Sequence, residues 1–266
     1  MSRGFLPTQS PGQQFGHGLV GNAVWTGTSV RAVLEACGSD LEFDTLVVRG
    51  RDAGVTKPED VYSDYGKGLP RLKALHQDTL LGWEMNGEPL PHLHGGPIRM
   101  VVPGWFGTWW VKWIHSLELI SGSYDGFWQT TRYSYQGGDF GHPEIVGGAL
   151  PRSLICDPAE GQAVVNGPVR FRGYAWAGEN SIATVELSSD GGANWVPCEI
   201  DGRCGRYGWV EWTKSLQLPN AAREVMVAVR ATDSAGRTQS WQSRPNRLGY
   251  ANNGIHVVTL RRKTDD

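Results

Sequence analysis

Short apolar runs separated by polar, glycine-rich segments dominate the first half of the chain. Runs of strand length predict buried strands over 46–52 and 98–102. The segment 76–85 is also strand-like, and the Asn86-Gly87 pair that follows it is typical of a type I′ hairpin turn. Residues 57–70 are polar and turn-rich, so this segment is interpreted as a series of turns.

One segment has the apolar spacing of a helix instead of a strand. Its positions i, i+3, i+4 and i+7 are Val30, Val33, Leu34 and Cys37. This spacing predicts a short helix with Cys37 on its buried face. Thr28 or Ser29 would cap the start of the helix, and Gly38 would end it. A further helical turn is predicted to begin within 69–75.

From Pro151 onward, apolar residues alternate with polar or small ones, as in strands that have one buried face. The Asp190-Gly191-Gly192 sequence marks a hairpin, and turns recur at the spacing of a β-sandwich. The glycine-rich segment 137–148 is interpreted as a linker, and Cys156, which precedes Asp157-Pro158, is also assigned to a linker. The chain is therefore predicted to be α+β and β-rich, with one domain over 1–148 and an immunoglobulin-like sandwich over 149–266. The sandwich strands are expected at 169–174, 183–188, 209–212 and 225–230.

Composition excludes several functional classes. A chain of 266 residues with a formal net charge of −2 has no basic excess that would attract nucleic acid or a membrane surface. No apolar run reaches the roughly 20 residues of a membrane span. The first residues, Met1 to Pro7, meet glycine and proline at once and lack the apolar core of a signal peptide. The chain as it stands is therefore expected in the cytoplasm.

Four cysteines are too few for a disulfide scaffold in a chain of this length. Cys198 and Cys204 flank a turn that could bring them together, so a disulfide and two free thiols both stay open, and we favour thiols. Cys156 has no histidine or cysteine neighbour and is interpreted as structural.

The segment 94–113 combines an apolar run with cationic donors, His94, Arg99 and Lys112. Such donors are seldom buried without a partner, and an anion would satisfy them. The segment therefore predicts a phosphate or oxyanion cradle, with a β-hairpin carrying surface Arg and Lys as the alternative. His92 and His94 form an H-x-H pair that could suggest zinc or copper, but no further ligand lies at usable spacing, so no metal site is predicted.

Four motifs stand in a fixed order along this part of the chain: E-M-N-G-x-P-L-P from Glu84, H-G-x-P-x-R from His94, V-P-G from Val102 and V-K-W from Val111. The second half adds G-x-A-W at 173–176 and S-x-D-G-G-x-x-W at 188–195. In these motifs the chain resembles the sulfite oxidase family of molybdopterin-dependent oxidoreductases. The resemblance implies a partial molybdenum-cofactor domain followed by an immunoglobulin-like dimerisation domain.

The resemblance also implies which residues contact the molybdenum-molybdopterin cofactor. His94, Arg99 and Lys112 would bind the pterin and its phosphate, and Thr108 would lie beside them. Asp52 matches a family aspartate that contacts the pterin, and a carboxylate is a suitable acceptor for pterin N–H groups.

Four positions are implied at the substrate. Tyr133 keeps the spacing of the family's active-site tyrosine after Trp128-Gln129, and Arg3 matches a family arginine, so both are predicted to be catalytic. Phe15 stands where many relatives have a tryptophan in the wall of the substrate pocket. Arg247 neighbours Leu248, which occupies the aligned position of a substrate arginine. We therefore predict that Arg3, Phe15, Tyr133 and Arg247 bind the substrate.

Relatives carry a C-A-G-N-x-R segment whose cysteine binds molybdenum, and that cysteine would fall just upstream of Met1. None of the four cysteines is placed to substitute for it, so the chain is expected to be truncated at its N-terminus, and cofactor binding by the chain as given is in question. An upstream segment could also carry an export signal to the periplasm.

The leading functional hypothesis is oxidation of sulfite or a related sulfur compound. Because the chain has no C-x-x-C-H motif, electrons would pass to a separate acceptor such as a cytochrome. One alternative is an inactive fragment or non-catalytic paralogue, and another is a reductase of an S- or N-oxide. A homodimer through the C-terminal domain is expected in each case.

Overall fold

The computed structural model describes residues 2–6, 10–202, 205–219 and 223–263. Contacts between residues divide the chain into two units. The first contains Met1–Gly148 together with Pro245–Tyr250, and the second contains Ala149–Arg244 and Ala251–Asp266. The division at 148 coincides with the boundary in the sequence prediction, whereas the return of a short C-terminal segment to the first unit had no sequence signal.

The first unit is built from three small antiparallel sheets. One contains β1, β4, β5 and β6, the second has the order β3-β2-β7, and the third is the β8-β9 hairpin. The strands are β1 (Trp25–Ser29), β2 (Thr45–Val55), β3 (Tyr62–Pro70), β4 (Leu80–Met85), β5 (Glu88–Pro89), β6 (Arg99–Val101), β7 (Ile114–Ile120), β8 (Ser134–Gly137) and β9 (Phe140–Ile145). The helices are α1 (Val30–Ala36), α2 (Arg71–Ala74), three short 3-10 helices at Arg3–Phe5, His92–His94 and Gly107–Trp109, and a π-helical turn at Trp128–Arg132.

Helix α1 begins and ends as predicted, but the expected burial of Cys37 is wrong. The Ser29 side chain accepts a hydrogen bond from Ala32 N, and Gly38 adopts a left-handed conformation with φ of 66°. The helix has only seven residues, so Cys37 falls on its C-cap, where the chain turns away from the core and leaves the thiol exposed. Val30 and Leu34 are the buried residues of the helix.

The structure corrects two further expectations and confirms a third. Residues 62–70 form β3 instead of turns, because Gly66 and Gly68 leave room for the Tyr124 side chain to pack directly on the strand. The predicted linker contains the β8-β9 hairpin, in which Gly137 and Gly138 both have positive φ. The predicted hairpin turn at Asn86-Gly87 is confirmed by the pairing of β4 with β5.

The second unit is the predicted β-sandwich. One sheet has the order β10-β12-β16-β15 and the other β11-β18-β17-β13-β14, with β11 and β18 parallel. Inward-facing residues of both sheets share one core that includes Phe171, Leu187 and Trp212. The strands are β10 (Arg152–Asp157), β11 (Ala163–Val164), β12 (Pro168–Trp176), β13 (Ile182–Ser188), β14 (Val196–Pro197), β15 (Glu199–Asp201), β16 (Val210–Gln217), β17 (Glu224–Asp233) and β18 (His256–Arg262).

Two cysteine predictions concern this unit. Cys156 lies in β10 and not in a linker, because Ile155 and its neighbours continue the pairing with β12. Cys198 is a free thiol, and Cys204 lies outside the described residues, so the pair is not tested. Among the described residues, none of the helices has the length and apolar composition needed to cross a bilayer.

Candidate cofactor and substrate site

Arg99 organises the cationic end of the predicted cradle. It lies on β6, and its guanidinium donates to His94 O at 2.8 Å, Trp110 O at 3.0 Å and Met100 O at 3.3 Å. The same group lies 5.0 Å from the ring centroid of Trp25. Desolvation lowers its pKa to about 10. A guanidinium has five N–H donors, so Arg99 ties two backbone segments together and keeps further donors for an anion.

Lys112 lies beside the same backbone segment. Its Nζ donates to Leu93 O at 3.2 Å and lies 4.0 Å from the ring centroid of Trp113. Gly95 has φ of 101°, and a Cβ there would come within 2.8 Å of Lys112 Cβ. The cradle therefore depends on glycine at this position, both for the backbone conformation and for the approach of the lysine. His94 is exposed next to Gly95.

Asp52 provides the acidic side of the cradle. Desolvation raises the pKa of its carboxyl, and the nearby Lys112 acts in the opposite direction. A Cβ on Gly50 would collide with the Asp52 carboxylate and would lie 2.6 Å from Lys112 O. Gly50 thus lets the Asp52 carboxylate and the Lys112 backbone come close together. The cradle therefore combines cationic groups with one carboxylate.

Thr108 links the cradle to a half-buried tyrosine. Tyr65 Oη donates to Thr108 O at 2.6 Å and lies 2.8 Å from Thr108 Oγ1. Desolvation raises the Tyr65 pKa, and the neighbouring Tyr133 and Asp52 raise it further. Tyr65 therefore lies between the cofactor residues and the predicted catalytic tyrosine.

Tyr133 is at the centre of an aromatic cluster. Its ring centroid lies 5.6 Å from that of Tyr250 and 6.1 Å from that of Trp128. Lys67 Nζ lies 4.7 Å from the Tyr133 ring centroid. Desolvation raises the pKa of Tyr133, whereas Arg132 and Arg3 lower it. The phenol is consequently protonated at neutral pH and available as a hydrogen-bond donor.

Arg3 and Phe15 lie at the edge of this cluster. The Arg3 guanidinium lies 5.9 Å from the Phe15 ring centroid and 5.3 Å from that of Tyr250. Arg3 Nη1 also donates to Gln13 O at 3.3 Å. A half-buried cation is therefore held between two rings at the edge of the tyrosine cluster.

Arg247 has a different environment. It is exposed, its Nη2 donates to Gln136 Oε1 at 2.7 Å, and its backbone N donates to Gln136 O at 2.6 Å. Leu248 is buried. In the described part of the chain, Tyr250 is the residue of this segment whose side chain contacts Arg3 and Tyr133.

Two buried donors in the cluster have no hydrogen-bond partner among the described residues. They are Arg3 Nε and Trp128 Nε1. Buried polar atoms in native proteins are nearly always hydrogen-bonded, so an unpaired donor indicates the position of a missing acceptor. Guanidinium and indole N–H groups are donors of the kind that bind an oxyanion.

Sequence reasoning missed Tyr65, Lys67 and Tyr250. The first two lie on β3 at positions i and i+2, so they share one face of a strand that the sequence pattern did not predict. Recognition of β3 would have found them, since a lysine between two glycines within a strand is an unusual sequence. Tyr250 had no local signal, because only tertiary contacts bring its segment to the first unit.

The residues present fit the organic part of a molybdopterin cofactor. Cationic donors suit its phosphate, Asp52 suits its ring N–H groups, and Gly95 permits close approach. For the metal, the described residues contain no group of three or more His, Cys, Asp or Glu side chains that could hold an ion. The free cysteines 37, 156 and 198 belong to none of the segments that form the cradle.

Comparison with known proteins agrees with this geometry. Residues 2–128 match the family model of the oxidoreductase molybdopterin binding domain, and 150–263 match that of the Mo-co oxidoreductase dimerisation domain. The chain is 32% identical to mitochondrial sulfite oxidase of Drosophila melanogaster over 94% of its own length and 47% of that protein. It is 29% identical to mitochondrial sulfite oxidase of Homo sapiens, over 93% of its own length and 48% of that protein. The chain thus spans about half of the length of these relatives.

A solved structure extends the match to the fold. The sulfane dehydrogenase SoxCD from Paracoccus pantotrophus superposes with a TM-score of 0.81 at 26% identity, covering 98% of this chain and 66% of that one. Both family models, the aligned relatives and the structural match lead to the same assignment. The chain belongs to the sulfite oxidase family of molybdopterin-dependent oxidoreductases.

Proposed function

We propose that this chain forms the cofactor and dimerisation regions of an enzyme that oxidises sulfite or a related sulfur oxyanion. The observation that carries this proposal is a pair of buried donors near Tyr133, Arg3 Nε and Trp128 Nε1, that have no hydrogen-bond partner among the described residues. The family membership supports the redox chemistry, and the cationic and phenolic donors support an anionic substrate.

His94, Arg99 and Lys112 would hold the cofactor phosphate, and Asp52 would accept hydrogen bonds from the pterin ring. Arg99 is suited to this task because its backbone hydrogen bonds already fix the direction of its remaining donors. Thr108 would lie beside the pterin and is connected to Tyr65. When bound, the molybdenum cofactor supplies the two-electron redox chemistry.

On the substrate side, Arg3 would attract the anion and orient one of its oxygens. Tyr133 would donate its phenolic proton to a substrate oxygen, because its raised pKa keeps the proton on the phenol. Phe15 and Tyr250 would exclude water from one side of the Arg3 guanidinium and so strengthen its attraction for the anion. We retain Arg247 as a weaker candidate, since its hydrogen bonds go to Gln136.

In the net reaction, sulfite and water give sulfate, two protons and two electrons. The electrons would pass one at a time to a separate acceptor, for which a cytochrome is the expected class. We also propose a homodimer through the C-terminal unit, because the matching family model describes a dimerisation domain.

One observation favours a second candidate reaction, the reduction of a neutral S- or N-oxide. The aligned position of a substrate arginine is the buried Leu248, so Arg3 is the arginine that the described residues place between aromatic rings of the cluster. A less charged pocket suits a less charged substrate.

The test uses protein purified from a host that makes molybdopterin, with the pterin content measured on the same sample. Sulfite-dependent ferricyanide reduction is compared with oxidation of a reduced viologen by methionine sulfoxide or trimethylamine N-oxide. We expect sulfite oxidation. Tyr133→Phe should lower kcat, since the phenolic donor is lost, and Arg3→Met should raise KM, since an attractive charge is lost.

Tyr135→Phe is the matched control, because this tyrosine stacks on Phe140 in the β8-β9 hairpin. Its turnover should equal that of the wild type. Activity with the oxides alone would establish the second candidate. A pterin-loaded protein that is inactive in both assays would indicate the non-catalytic alternative.

A further inference from the structure

Lys67 is a buried lysine without a carboxylate partner among the described residues. It is 0% exposed, and its Nζ donates to Trp128 O at 2.6 Å. The ring centroids of Trp109 and Tyr133 lie 5.0 Å and 4.7 Å from Nζ. A charged amine rarely enters a protein interior unless its environment compensates it, so this placement indicates a specific task.

The other charged groups near Lys67 are accounted for. Asp64, on the same strand, forms an ion pair with Arg49 at 2.9 Å. Arg132, at the end of the π-helical turn, is 3.3 Å from Glu59. Tyr65, two residues away, donates to Thr108. Among the described residues, the Lys67 ammonium therefore contacts the aromatic rings of Trp109 and Tyr133 and one backbone carbonyl oxygen.

We propose that Lys67 is a positioning residue that acts through Tyr133: its ammonium fixes the ring by a cation–π contact and strengthens the phenol as a hydrogen-bond donor. This inference rests on the proposed function only in assigning the phenol a role at the substrate. A positive charge on the face of a phenol withdraws electron density from it and makes its O–H a better donor.

The charge on Lys67 changes within the physiological range. Desolvation lowers its pKa to about 7, so the ammonium is present below neutral pH and is lost above it. Tyr133 keeps its own proton throughout this range, because its pKa is raised. Arg3 and Arg132, which also act on Tyr133, stay charged. Lys67 is thus the group in this set whose titration would change the Tyr133 environment near neutrality.

The first test needs no turnover. The full chain is labelled with ¹³Cζ-tyrosine, and the Tyr133 resonance is assigned by its absence in Tyr133→Phe. We expect the chemical shift of this resonance to show a single inflection near neutral pH in the wild type and none in either variant. Lys67→Met is uncharged at every pH, and Lys67→Arg is charged at every pH. The Tyr135 resonance is the internal control and should stay flat, because its charged neighbour is Glu144.

The second test measures kcat against pH on cofactor-loaded protein. Wild-type kcat should fall above neutral pH by up to about thirtyfold, the rate equivalent of the full contribution of a desolvated cation on an aromatic face. Lys67→Arg should hold the high value across the range, and Lys67→Met should hold the low value. The substrate KM should change little, since Lys67 does not contact the substrate.

The two tests separate this inference from the proposed function. A Tyr133 resonance without an inflection in the wild type overturns the inference whatever the activity. An inflection with a pH-independent kcat in all three proteins also overturns it, because the phenol would then be uncoupled from turnover. Absence of all sulfur oxidation, with the inflection intact, contradicts the proposed function and leaves the contact between Lys67 and Tyr133 established.

Discussion

Replacement of Lys67 by methionine should stabilise the protein, and more so at acidic than at alkaline pH. A shift of the pKa from 10.5 to about 7 costs the folded state roughly 5 kcal/mol when the lysine is charged in both states. Loss of the hydrogen bond to Trp128 O and of the cation–π contacts offsets part of this gain, by roughly 2 kcal/mol. The variant should therefore gain a few kcal/mol at about pH 6.

The sign of the pH dependence follows from proton binding. Between the folded and unfolded pKa values the unfolded chain holds a proton that the folded chain has lost, so wild-type stability rises with pH in this window. The advantage of Lys67→Met should accordingly shrink by roughly 3 kcal/mol between pH 6 and pH 9. Lys67→Arg is the control, since it stays charged: it should match the wild type at the acidic end and be less stable at the alkaline end.

The assay is urea unfolding followed by tryptophan fluorescence, with Trp109 and Trp128 as reporters next to the substitution. Midpoints and slopes are compared at both pH values for the three proteins. A stability difference between Lys67→Met and the wild type that does not change with pH would refute the reasoning, because it would show that Lys67 has an ordinary pKa in the folded state.

Three further predictions concern the cradle and the assembly. Arg99→Lys should reduce the amount of pterin that co-purifies at least several-fold, because a lysine cannot replace the guanidinium that donates to both His94 O and Trp110 O. The pterin content is measured by fluorescence after oxidation. An unchanged content would mean that the phosphate binds elsewhere. Gly95→Ala should also reduce the pterin content, because the added Cβ would collide with Lys112 and because a φ of 101° favours glycine. Gly107→Ala is the control and should leave the pterin content unchanged, since a Cβ at this position would meet no other atom within 4 Å. The full chain should sediment at twice its 29.2 kDa monomer mass, and a monomer at high concentration would contradict the proposed dimer.

The sequence predicted most reliably where local chemistry decides the structure. Ser29 and Gly38 bound α1 because capping depends on a few neighbouring atoms, and Asn86-Gly87 forms its turn for the same reason. The sandwich strands are confirmed because each alternates over a single shared core. The burial of Cys37 was wrong because helical spacing does not reveal that the helix ends one residue earlier.

The failures arose where distant residues decide the structure. Strand β3 carries Gly66 and Gly68, which weaken a strand in isolation, and only the Tyr124 ring packed against them explains their presence. Lys67 was overlooked together with this strand. Tyr250 could not be predicted because its neighbours in space, Arg3 and Tyr133, are remote in sequence. The cradle residues, by contrast, lie within one short segment apart from Asp52, so motif spacing placed most of them together.

The central claim is that one contiguous set of residues binds a pterin phosphate at Arg99 and Lys112 and a sulfur oxyanion beside Tyr133. A crystal structure of the cofactor-loaded protein soaked with sulfate tests both parts at once. We expect the phosphate within hydrogen-bond distance of the Arg99 guanidinium. We expect the sulfate within hydrogen-bond distance of Arg3 Nε or Trp128 Nε1, two of the buried donors that have no partner among the described residues. A pterin held by other residues, or a sulfate that leaves both of those donors unpaired, would contradict the account.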